Sequence, residues 1–86
     1  MLVTLFSRPG CHLCDVARGV ILAERDRTAF DLVEVDVSTD DALELDYGIR
    51  IPVVLIEGQE AFEIEVDAGQ FHALVSGWAA RSGPVG

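Results

Sequence analysis

Apolar and polar positions along this chain change period several times, and each change predicts an element. Leu2-Val3-Thr4-Leu5-Phe6 is an apolar, β-rich run bounded by Ser7, Pro9 and Gly10, which predicts a short buried strand. From Leu13 the apolar residues fall at Leu13, Val16, Ala17, Val20, Ile21 and Ala23, the i, i+3, i+4, i+7, i+8 stripe of an amphipathic helix. Arg18, Glu24, Arg25 and Arg27 are assigned to its other face or its end. The predicted helix runs from about His12 to Arg27, with Asp15 in the first turn and Arg25 and Arg27 in the last, each where the helix dipole favours its charge.

Phe30 to Val37 mixes alternation with β-branched residues and predicts a second strand. Ser38 or Thr39 is the expected N-cap of a short helix over Asp40 to Tyr47, closed by Gly48. Ile49-Arg50-Ile51-Pro52-Val53-Val54-Leu55-Ile56 enters a run apolar on both faces, as a central strand would be. After a turn at Glu57-Gly58-Gln59-Glu60, Phe62, Ile64 and Val66 alternate with Ala61, Glu63 and Glu65, so the two runs predict a hairpin with a charged outer face. Asp67 and Gln70 have the spacing of a capping box opening a last helix, with Phe71, Leu74, Val75 and Trp78 as its apolar stripe. Gly77 weakens that helix, and residues 82–86 are expected to form a flexible tail after one domain over 1–81.

Composition narrows the class. At 86 residues with 50% hydrophobic, the chain has material for one core and one domain. No apolar run approaches a membrane span, and no charged n-region precedes a long apolar stretch, so a cytoplasmic setting is expected. Fifteen acids face six arginines and no lysine, a net charge of −9 that argues against nucleic acid or an anionic membrane as partner. The acids Asp36, Asp40, Asp41, Glu44 and Asp46 do not match a calcium loop, because no glycine stands at its sixth position and Tyr47 occupies its twelfth.

The chemistry concentrates in Cys11-His12-Leu13-Cys14, where the first strand gives way to the first helix. A thiol there faces unpaired backbone N–H groups and the positive end of the helix dipole, both of which favour the thiolate. Gly10, without a side chain, leaves Cys11 approachable, and Cys14 is placed one turn on to attack a mixed disulfide formed at Cys11. Three other readings stand beside redox chemistry. The cysteines could be inert core residues. A purely structural bridge over so small a loop would remove little chain entropy. A metal site lacks ligands: beyond Cys11, His12 and Cys14 the only other histidine is His72, so no metal is expected. His12 could stabilise the Cys11 thiolate as imidazolium or be a plain first-turn surface residue. His72, with no identified partner, reads as structural. Pro52 at the start of a central strand is either an ordinary strand-opening proline or part of a cis Ile51–Pro52 peptide that offers the Ile51 N–H and C=O to an extended substrate.

Together these residues resemble the thioredoxin superfamily and, within it, the small bacterial glutaredoxin-like proteins with a Cys-His-Leu-Cys motif. The resemblance spans Leu2 to about Arg81 and rests on the Ser7–Asp15 stretch, the Gly48-Ile49-Arg50-Ile51-Pro52-Val53 stretch and the β-α-β-α-β-β-α order. It implies an α/β fold, a thioredoxin/glutaredoxin-like three-layer sandwich with a four-stranded mixed sheet and three helices. It implies Cys11 as attacking thiol, Cys14 as resolving thiol and cis-Pro52 as substrate platform.

The chain also departs from the pattern of typical glutaredoxins. The motif interior is His12-Leu13, without the aromatic residue of Cys-Pro-Tyr-Cys, the upstream cation is Arg8 instead of lysine, and Val66-Asp67-Ala68-Gly69 replaces the paired glycines before the last helix. Asp67 would repel the glutathione carboxylate that such glycines hold, unless Arg8 or Arg50 offsets it. The expectation is therefore a thiol–disulfide oxidoreductase serving cell redox homeostasis, with no tightly bound cofactor and glutathione disfavoured. Its partner would be a disulfide-containing protein or a low-molecular-weight thiol, with Ile51, Pro52, Arg8, His12 and Arg50 as substrate-binding candidates, and the chain acting as a monomer. The alternative is a non-catalytic adaptor that keeps the fold and uses the Pro52 groove for binding.

Overall fold

The structure is a computed structural model and describes residues 1–82. Its strands are β1 (Leu2–Ser7), β2 (Asp31–Asp36), β3 (Val53–Ile56) and β4 (Gln59–Glu63), and its helices are α1 (His12–Arg25), α2 (Asp41–Tyr47) and α3 (Ala68–Ser82). A 3-10 turn over Val37–Thr39 precedes α2. The strands form one mixed sheet in the order β2-β1-β3-β4, with β1 parallel to β2 and antiparallel to β3, and β3 antiparallel to β4. This is the expected β-α-β-α-β-β-α order and four-stranded mixed sheet, with β1 and β3 central.

Two apolar clusters, one on each face of the sheet, make the three layers. Val3, Leu5, Val54 and Ile56 meet Ala17 and Ile21 of α1 and Phe71 and Val75 of α3. On the opposite face Phe6, Val37 and Val53 pack with Leu43 and Tyr47 of α2, where the Phe6 and Tyr47 rings stack 4.3 Å apart. The alternation of β1 sends successive side chains to opposite faces, so one six-residue strand serves both clusters. Each fully buried Val, Leu or Phe here stabilises the fold by roughly 1.5–3 kcal/mol relative to exposure.

Several boundaries differ from the sequence expectation, each for a local reason. Helix α1 ends at Arg25, not Arg27, because the N–H groups of Arg27 and Thr28 both turn back to Glu24 O at 2.9 Å. Its buried face is Cys14, Ala17, Ile21 and Glu24, whereas Leu13, Val16 and Ala23 of the expected stripe are exposed. β2 stops short of Phe30 and Val37 at its two ends, though both are buried. The N-cap of α2 is Asp40, not Ser38 or Thr39: its Oδ1 accepts the N–H of Ala42 at 2.8 Å and of Leu43 at 3.3 Å. Gly48 does close this helix, donating its N–H to Glu44 O at 2.8 Å.

The hairpin is tighter than expected. Glu57 and Gly58 both have positive φ, 51° and 80°, which builds a two-residue turn whose twist matches the flanking strands. β4 therefore begins at Gln59 and ends at Glu63, with a bulge opposite Val54 and Leu55 that leaves Ala61 as the extra residue. Ile64 lies beyond the strand at φ 70°, its N–H bonded to Pro52 O at 2.8 Å and Arg50 O at 3.1 Å. Asp67 accepts the Gln70 N–H at 2.9 Å, satisfying one N-terminal donor of α3 as the capping reading expects. Leu74 is exposed, so the buried stripe of α3 is carried by Phe71 and Val75. The tail expected over residues 82–86 lies, after Ser82, outside the described residues.

Candidate active site

The site is assembled where β1 ends. Pro9 and Gly10 occupy the centre of a turn closed by Cys11 N–H donating to Arg8 O at 3.4 Å, and Gly10 has the φ of 79° that only glycine adopts without strain. The turn delivers Cys11 as the N-cap of α1 in an extended conformation. Cysteine is an unusual cap, but its Sγ accepts the backbone N–H of Cys14 at 3.2 Å, so the sulfur takes the place of the usual Ser or Asp oxygen. Cys11 and Cys14 form a disulfide with their Cα atoms 5.2 Å apart.

The two sulfurs are in unlike surroundings. Cys11 is partly exposed, whereas Cys14 has 0% exposure and belongs to the buried face of α1. Of the two, Cys11 is the one that solvent reaches, and its Sγ has an N–H donor and the positive end of the α1 dipole aimed at it, both of which favour a thiolate.

Pro52 stands at the same end of the sheet. The register pairs Phe6 with Val53, so Pro52, one residue before Val53, lies beside the end of β1 that runs into the Cys11 turn. The Ile51–Pro52 peptide is cis, as the resemblance implies. Pro52 is buried and Ile51 half-buried, packed with the α2-side cluster.

The charged candidates are all held by carboxylates. The Arg8 guanidinium pairs with Glu44 of α2 and reaches Gly48 O at 3.3 Å, which ties the active-site turn to the α2 layer. Arg50 bridges Glu60 at 2.7 Å and Glu63 at 3.1 Å and lies 5.3 Å from the Tyr47 ring centre. Those hydrogen bonds, to Glu60 first and Glu63 second, raise the Arg50 pKa and hold Glu60 below the usual carboxylate range. His12 is exposed, with no hydrogen bond or ion pair to another described residue.

Sequence reasoning missed a further group. Ser7 Oγ donates to Glu34 Oε2 at 2.7 Å, and Arg18 clamps the same carboxylate, with Nε to Glu34 Oε1 at 2.7 Å, while reaching Asp15 at 2.8 Å. The Arg18 hydrogen bond holds Glu34 below the usual carboxylate range, and its pairing with both acids raises the Arg18 pKa. This chain of contacts binds the end of β1, the middle of β2 and the first turn of α1. It walls an open cleft of about 420 Å³ that Ser7, Arg8, Gly10 and Asp36 also line, beside the turn leading to Cys11. The signal that could have found it is faint: an i, i+3 Asp15/Arg18 pair and a charged Glu34 between the two valines of β2.

His72, at the far end of α1, acquires a partner. Its Nδ1 lies 2.7 Å from Glu24 Oε2, and Glu24, only 2% exposed, also accepts from Thr28 Oγ1 at 2.8 Å and Arg27 at 2.6 Å. The structural reading of His72 agrees with this contact.

The Glutaredoxin-like domain family (DUF836) matches residues 2–76. The chain belongs to this glutaredoxin-like family. A relative within reach, the uncharacterized protein Rv0508 of Mycobacterium tuberculosis, is 30% identical over 79 residues, covering 86% of this chain and 81% of that protein. Among solved structures, the X. campestris protein XcR50 superposes with a TM-score of 0.74 at 34% identity, covering 87% of this chain and 96% of that one. Thioredoxin 1 of Thermosipho africanus gives a TM-score of 0.69 at 15% identity over 95% of this chain and 98% of its own, a likeness of fold. The glutaredoxin-like assignment thus rests on sequence and fold, and the CxxC pair gives it a redox-type character. Among the described residues, no helix is long and apolar enough to cross a membrane.

Proposed function

We propose that this glutaredoxin-like protein is a thiol–disulfide oxidoreductase in which Cys11 attacks and Cys14 resolves. The observation that carries the reading is the asymmetry of the pair: a partly exposed N-cap cysteine whose sulfur accepts a backbone N–H, and a partner cysteine with no solvent exposure. The Cys11 thiolate attacks a disulfide RSSR, forming the Cys11–SR bond and releasing one RS⁻. Cys14, giving up its proton, then attacks the Cys11 sulfur and expels the second RS⁻. The leaving thiolates take up protons, the substrate is reduced by two electrons, and the Cys11–Cys14 disulfide remains. An external dithiol or thiol pool returns it to the reduced state.

Ile51 and Pro52 serve as the backbone platform for the substrate beside Cys11, a role supported by the β1–β3 register. The cycle belongs to a reducing compartment such as the cytoplasm, where it contributes to redox homeostasis, and it uses no tightly bound cofactor. The test is disulfide reduction coupled to glutathione reductase or thioredoxin reductase. Turnover lost in Cys11→Ser, with a persistent mixed disulfide in Cys14→Ser, supports the reading. Absence of turnover with both reductants favours an adaptor that only binds through the Pro52 groove.

A further inference from the structure

Each arginine near the Cys11 opening is occupied by carboxylates of the same chain. Arg8, just upstream of the turn, is paired with Glu44, so its charge is already met within the chain. Arg18 is shared between Glu34 and Asp15, and Arg50 between Glu60 and Glu63. The negative charge is not cancelled in return: Asp15, one residue past Cys14, keeps 65% of its side chain exposed, and Asp36 lines the cleft. Across the Pro52 side, Ile64 N–H binds Arg50 O and Pro52 O, so the segment leading to Asp67 is anchored to the platform residues. With a whole-chain charge of −9 and Arg8, Arg18 and Arg50 each ion-paired, the approach to Cys11 lies in a net negative field.

We infer that the Cys11 site selects its disulfide by charge, reacting with cationic or neutral disulfides and discriminating against anionic ones such as glutathione disulfide. The inference rests on the oxidoreductase reading and names its substrate class. Field-driven selectivity acts on the encounter rate, so its signature is an opposite salt dependence for substrates of opposite charge. Intrinsic differences in leaving-group chemistry do not change sign with salt.

The test uses the full chain, reduced with dithiothreitol and desalted, mixed with cystamine, bis(2-hydroxyethyl) disulfide or glutathione disulfide. Loss of protein thiols is followed by alkylation and mass. Between about 20 mM and about 500 mM salt, the cystamine rate should fall several-fold, the glutathione disulfide rate should rise, and the hydroxyethyl disulfide rate should hold steady. Glu44→Gln, which releases Arg8, and Asp15→Asn, at an exposed position, should each raise the glutathione disulfide rate roughly two- to five-fold relative to the hydroxyethyl disulfide rate in the same variant. A glutathione disulfide rate that is flat or falls with salt overturns the inference, as does an unchanged ratio in both variants. If all three disulfides oxidise the pair with one common salt dependence, the charge preference fails while the oxidoreductase reading stands. If none oxidises it, both fail.

Discussion

The two ends of α1 hold polar groups in opposite fashion. At the C-terminal end, Glu24 is buried with both carboxylate oxygens engaged by Arg27, Thr28 and His72, so it joins α1 to α3. At the N-terminal end, Cys11 is partly exposed, its sulfur held by one N–H and by the disulfide, while its partner Cys14 has no solvent exposure. A helix can thus be anchored at one end and reactive at the other. The difference lies in how completely each polar atom is satisfied and whether a ligand can reach it.

The largest expected effect separates the two ends by function. Cys11→Ser should reduce disulfide turnover by at least about a thousand-fold, since no other thiol can take the attacking role. Glu24→Ala should leave the reduced protein's Cys11 alkylation profile in place but lower unfolding free energy by about 2–4 kcal/mol, measured by urea denaturation, because His72 and Thr28 lose their buried partner. A change in Cys11 reactivity of similar size in Glu24→Ala would break the division between anchor and reactive end.

The acid limb of stability sharpens it further. Burial pushes the Glu24 carboxyl up, but the hydrogen bonds from His72 and Thr28 and the Arg27 charge outweigh it and leave it below its ordinary value. A carboxyl depressed on folding stabilises the protein at pH above its unfolded value of about 4.5. That contribution is lost as pH falls through the folded value. Urea midpoints taken from pH 6 downward should therefore drop in the native chain, with a shallower drop in Glu24→Gln.

The smallest effect lies at the reactive end. Arg18→Ala frees the Asp15 charge near Cys11, so the pH midpoint of Cys11 alkylation should rise by a few tenths of a unit from a native midpoint below about 8.5. Arg18→Lys should restore most of that shift. A midpoint unmoved in Arg18→Ala would mean that only the helix dipole and the Cys14 N–H govern the thiol.

Sequence gave access to what depends on local order. The strand–turn–helix step at Ser7 to Cys11, the α3 start at Asp67 and the pairing of apolar runs were legible because neighbouring residues determine them. The central position of the Pro52 run followed from its being apolar on both faces. Glu24 was misassigned because a stripe count scores every carboxylate as outward, whereas burial here is made tolerable by partners up to 48 positions away. The Arg8–Glu44 and Ser7–Glu34 contacts span separations of 36 and 27 residues, so no window of sequence contains them. The β4 boundary slipped because Glu57 adopts a positive φ that its residue type does not advertise. Leu13 and Val16 were read into the core because hydrophobic periodicity cannot distinguish a buried stripe from an exposed one beside a reactive site.

Gly48 shows where an engineer would go wrong. Its φ of −54° is open to any residue, so it looks like a position where alanine would tighten the chain at no cost. Yet a methyl group there would collide first with the Glu44 backbone carbonyl oxygen, and would also meet Glu44 Oε1 at 2.7 Å and Arg8 Nη2 at 3.0 Å. The space is already filled by the last turn of α2 and by the latch that fastens the Cys11 turn to it. A stabilising library that includes this site would be testing, from thirty-seven positions downstream of Cys11, how firmly the reactive turn is seated.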